Sequence, residues 1–206
     1  KVEKLRAPTE NYIKRYWDRP DKQIIPKAEF KRDFPLYAYA NEDEVQNWKV
    51  EKSVIQDKFD TSKEKEFLID KKLKKSDVGH YKVTFNTADK YGEKIEIIKY
   101  FVLYDLNEKK VPANVVDFHI QDKSKAEPDE TVNIYFGSAE KNIHILYEKE
   151  LGKNNLSAKW FTPNSIQKES INIEEKHRGN IFYKLSFVKN NRAYTSNHTI
   201  AVPWSN

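Results

Sequence analysis

The chain has 206 residues and no Cys, and its 37 Lys and Arg against 32 Asp and Glu leave a net charge of +5. That length allows one large domain or two of roughly 100 residues each. Without Cys there are no disulfides, thiolate metal sites or Cys nucleophiles, and the two signs of charge are interleaved, so no basic surface for nucleic acid is expected.

The chain starts at Lys1 without Met, and residues 1–6 read as a strand whose partner lies outside the sequence, or as part of an incomplete sandwich. Residues 8–47 break the β pattern and read as a small helical insertion. Thr9 can cap a helix with Ile13, Tyr16 and Trp17 on its apolar face, and Pro20 stops it. Pro26 opens a second short helix with Phe30 and Phe34 inward, ended by Pro35. Glu42, Asp43 and Glu44 read as solvated loop. From 48 onward the chain reads as β. Residues 48–59 and 65–69 form an expected hairpin. Lys71, Lys72, Lys74 and Lys75 read as a solvated run between Asp70 and Asp77. Tyr81, Val83 and Phe85 alternate with polar residues, as do Ile95, Ile97, Phe101 and Leu103 with Lys99 as the exception. Residues 80–104 are therefore a hairpin that turns at Gly92. The first domain spans 1–105, and the polar stretch 105–112, ending in Pro112, is the expected linker.

A second alternating set follows in 106–206. Its members are Val116, Phe118 and Ile120; Val132, Ile134 and Phe136; Ile143, Ile145 and Tyr147; a strand near 156–161; Ile171 and Ile173; Ile181, Tyr183, Leu185 and Phe187; and Tyr194 to Val202. Asn190 and Asn191 make the last tight turn, because Asn tolerates positive φ. Seven short strands in about 100 residues have the spacing of an immunoglobulin-like sandwich. Val202, Pro203 and Trp204 read as an exit toward another module, so the chain is expected to be a segment of a longer protein.

The residues supply no catalytic, cofactor or metal constellation. His80, His119, His144, His177 and His198 are each isolated in sequence, with His119 and His144 on the outward sides of their strands. No phosphate loop, nucleophile elbow or calcium loop is present, and no stretch is long and apolar enough to be a membrane helix. Trp48, Trp160 and Trp204 fall near strand ends. As plugs they would close the sandwiches, and as an exposed coplanar set they would bind sugar rings.

Three stretches carry a family resemblance: Arg15-Tyr-Trp-Asp-Arg-Pro-Asp21 with Glu29-Phe-Lys-Arg-Asp-Phe-Pro35 and Ala38-Tyr-Ala-Asn-Glu42; Gly79-His-Tyr-Lys-Val83 with Asp89-Lys-Tyr-Gly-Glu93; and Phe187-Val-Lys-Asn-Asn-Arg-Ala-Tyr194 with Val202-Pro-Trp-Ser-Asn206. Together they resemble bacterial alpha-2-macroglobulin-like proteins. The resemblance implies an all-β pair of tandem macroglobulin-type sandwiches, in a large multidomain protein of the periplasm or cell envelope. It implies a non-catalytic scaffold whose partners are neighbouring domains of the parent and proteases, with no nucleic acid and no membrane insertion by this segment. The family's thioester needs a Cys, which this sequence lacks. The alternative is a carbohydrate-binding pair of sandwiches on a cell surface.

Overall fold

A computed structural model describes the chain except residues 61, 70–71, 74–77, 108–109, 152–155 and 205–206. It is mostly β, in three antiparallel sheets. The chain divides into two units, residues 1–105 with 112–114, and residues 106–111 with 115–206.

The first unit is built on one four-stranded sheet, made of β1 (Val2–Leu5), β2 (Val50–Ile55), β3 (Gly79–Ala88) and β4 (Lys94–Leu103) in the order β2-β1-β3-β4. The N-terminal strand is thus central, with both partners inside the chain: Val2 sits opposite Ile55 on one side and Val83 on the other. The expected hairpin between 48–59 and 65–69 does not form: β2 pairs with β1, and residues 65–69 are not a strand. Phe67, Ile69 and Leu73 pack over the sheet and cover its small core of Val2, Ile55, Tyr81 and Val83. Most of the basic run, Lys71, Lys74 and Lys75, lies outside the described residues, and Lys72 pairs with Asp57. The hairpin β3–β4 matches the sequence reading. Gly92 takes φ +87°, a region L residues avoid, and Asp89 Oδ1 accepts the N–H groups of Tyr91 and Glu93 at 2.8 Å.

The insertion differs from expectation in its first half. No helix forms over 9–19. Ile13 N–H donates to Leu36 O at 2.9 Å, Arg15 to Ala38 O, and Gln23 Nε2 to Tyr39 O at 2.7 Å, so the segment runs beside 36–44. A ten-residue helix rich in aromatics and Ile is weak alone, and these cross-segment bonds displace it. Ile13 is buried, but Tyr16 (83%) and Trp17 (56%) are exposed. The second helix exists as α1 (Lys27–Asp33) after Pro26. It buries Phe30, under the Arg15 guanidinium and edge-on to Tyr39, while Phe34, expected inward, is exposed.

The second unit has the seven expected strands: β5 (Phe118–Gln121), β6 (Thr131–Gly137), β7 (Ile145–Leu151), β8 (Leu156–Phe161), β9 (Gln167–Asn172), β10 (Ile181–Lys189) and β11 (Arg192–Ile200). They form sheets β11-β10-β7-β8 and β5-β6-β9. Period-two alternation places Ile181, Tyr183 and Leu185 of β10, Ile145 and Tyr147 of β7, and Val132, Ile134 and Phe136 of β6 in one shared core. Asn190 and Asn191 take φ of 51° and 58° in the β10–β11 turn. The smaller sheet is apolar on both sides. Phe118, Ile120 and Tyr135 turn away from the shared core onto Leu106, Val111 and Ile166.

Candidate functional site

In the first unit, a cleft of about 330 Å3 opens on the face of β3 and β4 opposite the core. Its floor is the exposed side of the hairpin, because His80, Tyr100 and Val102 alternate with the core-facing Tyr81, Phe101 and Leu103. Its rim comes from the insertion through Tyr12, Asp43, Val45 and Trp48, with Asn114 closing one end.

Each rim group is held by the backbone or by charge. A short 3-10 turn (Val45–Asn47) delivers Trp48, whose Nε1–H donates to Glu42 O at 2.9 Å. The indole stands edge-on to His80, ring centroids 4.8 Å apart. His80 Nε2 donates to Ala113 O at 2.6 Å, which fixes its tautomer. Burial alone would raise the Glu42 carboxyl, but the Ala40 N–H and the Lys27 ammonium, 3.0 Å away, hold it down at about 2. Arg19 bridges Asn41, Asp43 and Glu44, so one guanidinium serves two carboxylates and the rim keeps negative charge. Asp43 Oδ1 takes the Arg19 bond. The carboxylate run expected to be plain solvated loop is therefore an ordered rim.

The second unit contains a polar cluster that the sequence reading missed. His119 of β5 faces the shared core, not solvent. Its ring stacks on His198 of β11, centroids 3.5 Å apart, and its Nε2 lies 2.7 Å from Tyr183 Oη of β10. Gln121 Nε2 donates to Lys123 O (2.7 Å) and Thr199 O (3.3 Å), which leaves Oε1 to accept from Tyr183 Oη–H at 2.6 Å. The phenol's one proton is thereby used, so His119 Nε2 is the donor to Tyr183 Oη. Burial, then the neighbouring His198, lowers the His119 imidazole to about 4. Burial also lowers His198 and raises Tyr183. Among the described residues, buried His198 Nε2 has no hydrogen-bond partner. Stacked rings hold their lone pairs in parallel planes, so the pair does not converge on a metal. His119 faces inward because both faces of this sheet are covered, so Phe118 and Ile120 do not mark the side of the larger core. His144 is on the surface as expected, bonded to Thr162 at 2.9 Å.

The three tryptophans do not act alike. Trp48 is half-buried at the cleft, while Trp160 (69%) and Trp204 (73%) are exposed, so neither of these two plugs a sandwich. Trp160 sits in a cross-strand row with Leu146, Ser186 and Thr195 on the outer face of the larger sheet. Trp204 lies against Gly179, where an added Cβ would stand 3.3 Å from its Cζ2. Among the described residues no group of three or more His, Asp or Glu side chains could hold a metal ion, and no helix is long and apolar enough to cross a membrane. No protein-family model matches the sequence, and no curated protein matches it.

Proposed function

We propose that this chain is a non-catalytic scaffold and interaction segment of a large alpha-2-macroglobulin-like protein outside the cytoplasm. In this reading the second unit is a macroglobulin-type, immunoglobulin-like sandwich. The first contributes the single four-stranded sheet described above in place of the expected sandwich. The partners are neighbouring domains of the parent and proteases. The observation that carries the interaction role is the outer face of the four-stranded sheet in the second unit. Leu156, Trp160, Phe182 and Val188 are all exposed there. They flank a charged row in which Lys184 Nζ pairs with Glu148 at 3.0 Å. Several large apolar groups on one sheet face, interrupted by a satisfied ion pair, suit contact with protein.

A carbohydrate-binding role would draw on Trp160, with Asn142 and His144 nearby. Trp204 cannot extend that platform. It lies by Gly179, just before β10 begins, whereas Trp160 shares its row with Ser186, five residues farther along. Successive sugar rings would meet only one indole, so the scaffold reading is preferred.

The test is to mix the chain with a panel of serine and metalloproteases and compare native size with a denaturing gel. Reversible complexes that vanish on denaturation are expected. A covalent adduct, or the absence of a complex with every protease, would overturn the protease-partner reading.

A further inference from the structure

We propose that β4 accepts an extended peptide as an added strand, and that a Lys or Arg side chain of that peptide fills the cleft between Trp48, Tyr100 and Asp43. β4 is an edge strand of ten residues. Among the described residues, no backbone hydrogen bond from outside the sheet reaches it.

The register decides which groups are open. Asp89 N–H donates to Glu93 O at 2.9 Å, which marks that pair as a hydrogen-bonded rung. The pairing then runs without a shift from Ala88–Lys94 to Gly79–Leu103. Rungs alternate in an antiparallel ladder. The N–H and C=O groups of Glu96, Ile98, Tyr100 and Val102 therefore point to the free edge. These residues carry their side chains on the cleft side of the sheet. A strand paired to them would place its own opposing side chains on that same side, beside the cleft. Ile98, Tyr100 and Val102 are exposed and would be covered by it.

Charge selects the occupant. The cleft offers aromatic rings and the Asp43 carboxylate. Arg19, which pairs with that carboxylate, is also shared with Glu44. A cation stacked on Trp48 or Tyr100 and directed at Asp43 satisfies both features. The residue two positions away in the peptide would face Ile98, where an apolar or β-branched side chain fits. A second copy paired about a two-fold centred on Ile98 would place its Glu96 opposite Tyr100, carboxylate beside carboxylate, whereas pairing centred on Ile97 would bring its Lys94 there, so the test below also reads the oligomeric state. Long apolar edges of this kind are usually blunted or filled.

This inference rests on the interaction reading above, but it has its own probe. The probe is a short blocked peptide of alternating threonine and valine with a central arginine, fluorescently labelled and titrated with the full chain by anisotropy. Binding is expected to weaken by about tenfold when the arginine is replaced by glutamate, or in Asp43→Asn. It should be lost when the peptide amides on the pairing edge are N-methylated, and in Ile98→Pro, which removes an outward N–H and spares the rungs to β3. The N-methylated peptide makes the same point on the unaltered protein if Ile98→Pro unfolds. Equal binding of the N-methylated peptide, no binding at all, or a chain dimer that Ile98→Pro converts to monomer would each overturn the inference. A chain that forms protease complexes but ignores the peptide sinks this inference alone.

Discussion

Acidification should weaken the second unit before it touches most carboxylates, because of the stacked imidazoles of His119 and His198. In the unfolded chain each histidine takes a proton near pH 6.5. In the fold, burial and the facing His198 keep His119 neutral down to about 4. Between those values the unfolded state binds more protons, so stability is full above pH 6.5, falls as pH drops, and the loss is complete near 4. The described groups that touch the ring are neutral. From β10 comes Tyr183 Oη, already an acceptor from Nε2, from β5 Gln121, and from β11 the neutral His198. Tyr147 of β7 lies behind Tyr183, ring centroids 5.9 Å apart. Fully realised, the gap corresponds to about 3 kcal/mol. The ring is only half-buried, so solvent screening reduces this to about 1–2 kcal/mol. Urea unfolding followed by near-ultraviolet dichroism from pH 7.5 to 4.5 should show that loss. His119→Gln, which can still donate to Tyr183, should show a shallower slope. The decisive measurement is proton NMR of the imidazole C–H groups. A His119 midpoint near 6.5, or identical slopes in the two proteins, would refute the argument.

Three further outcomes follow from packing. Phe136→Ala should destabilise the second unit by about 3–5 kcal/mol in urea unfolding, because the ring is fully buried against Phe161 (centroids 5.0 Å) and Tyr147. Phe85→Ala, on the exposed part of the β3–β4 hairpin, should change stability by less than about 0.5 kcal/mol. Amide hydrogen exchange on the full chain should protect β6, β7 and β10 more strongly than β1–β4. The described core cluster of the second unit has fifteen buried residues and that of the first has four. Slower exchange in β3 than in β10 would contradict this ranking.

The strands were legible where one face alone is buried. Tyr81 and Val83 alternate with Lys82 and Thr84, and Ile181 to Phe187 with Phe182, Lys184 and Ser186, so one phase is consistently apolar and the other mostly polar. The same rule failed at β5, whose sheet is covered on both faces. There Phe118 and Ile120 mark the satellite cluster, and the polar phase, His119 and Gln121, enters the main core. Alternation reports a periodicity and does not say which phase faces the larger core. The insertion was illegible for another reason. Its order comes from Arg15, Arg19 and Gln23 reaching the carbonyls and side chains of 38–44, contacts some twenty residues apart that local propensity does not encode. The cleft could not be found in sequence either. Trp48 and His80 meet only because β1 inserts between β2 and β3 and the insertion folds back over the hairpin.

The small core of the first unit and its open edge have a common origin. A sheet of four strands whose described core cluster holds four buried residues leaves apolar groups along β4 on both faces: Ile95 and Ile97 on the core side, Ile98 and Tyr100 on the cleft side. An added strand would cover part of both rows and supply the missing backbone partners at once. Because it binds the folded unit and has nothing comparable to bind in the unfolded chain, its effect on stability follows mass action. At a concentration a hundred times its dissociation constant it adds about 2.7 kcal/mol. That gain belongs to the first unit alone. Saturating the chain with the arginine peptide should therefore raise protection in β3 and β4 while leaving β6 and β10 unchanged. Uniform protection of both units, or none, would mean that the peptide binds elsewhere.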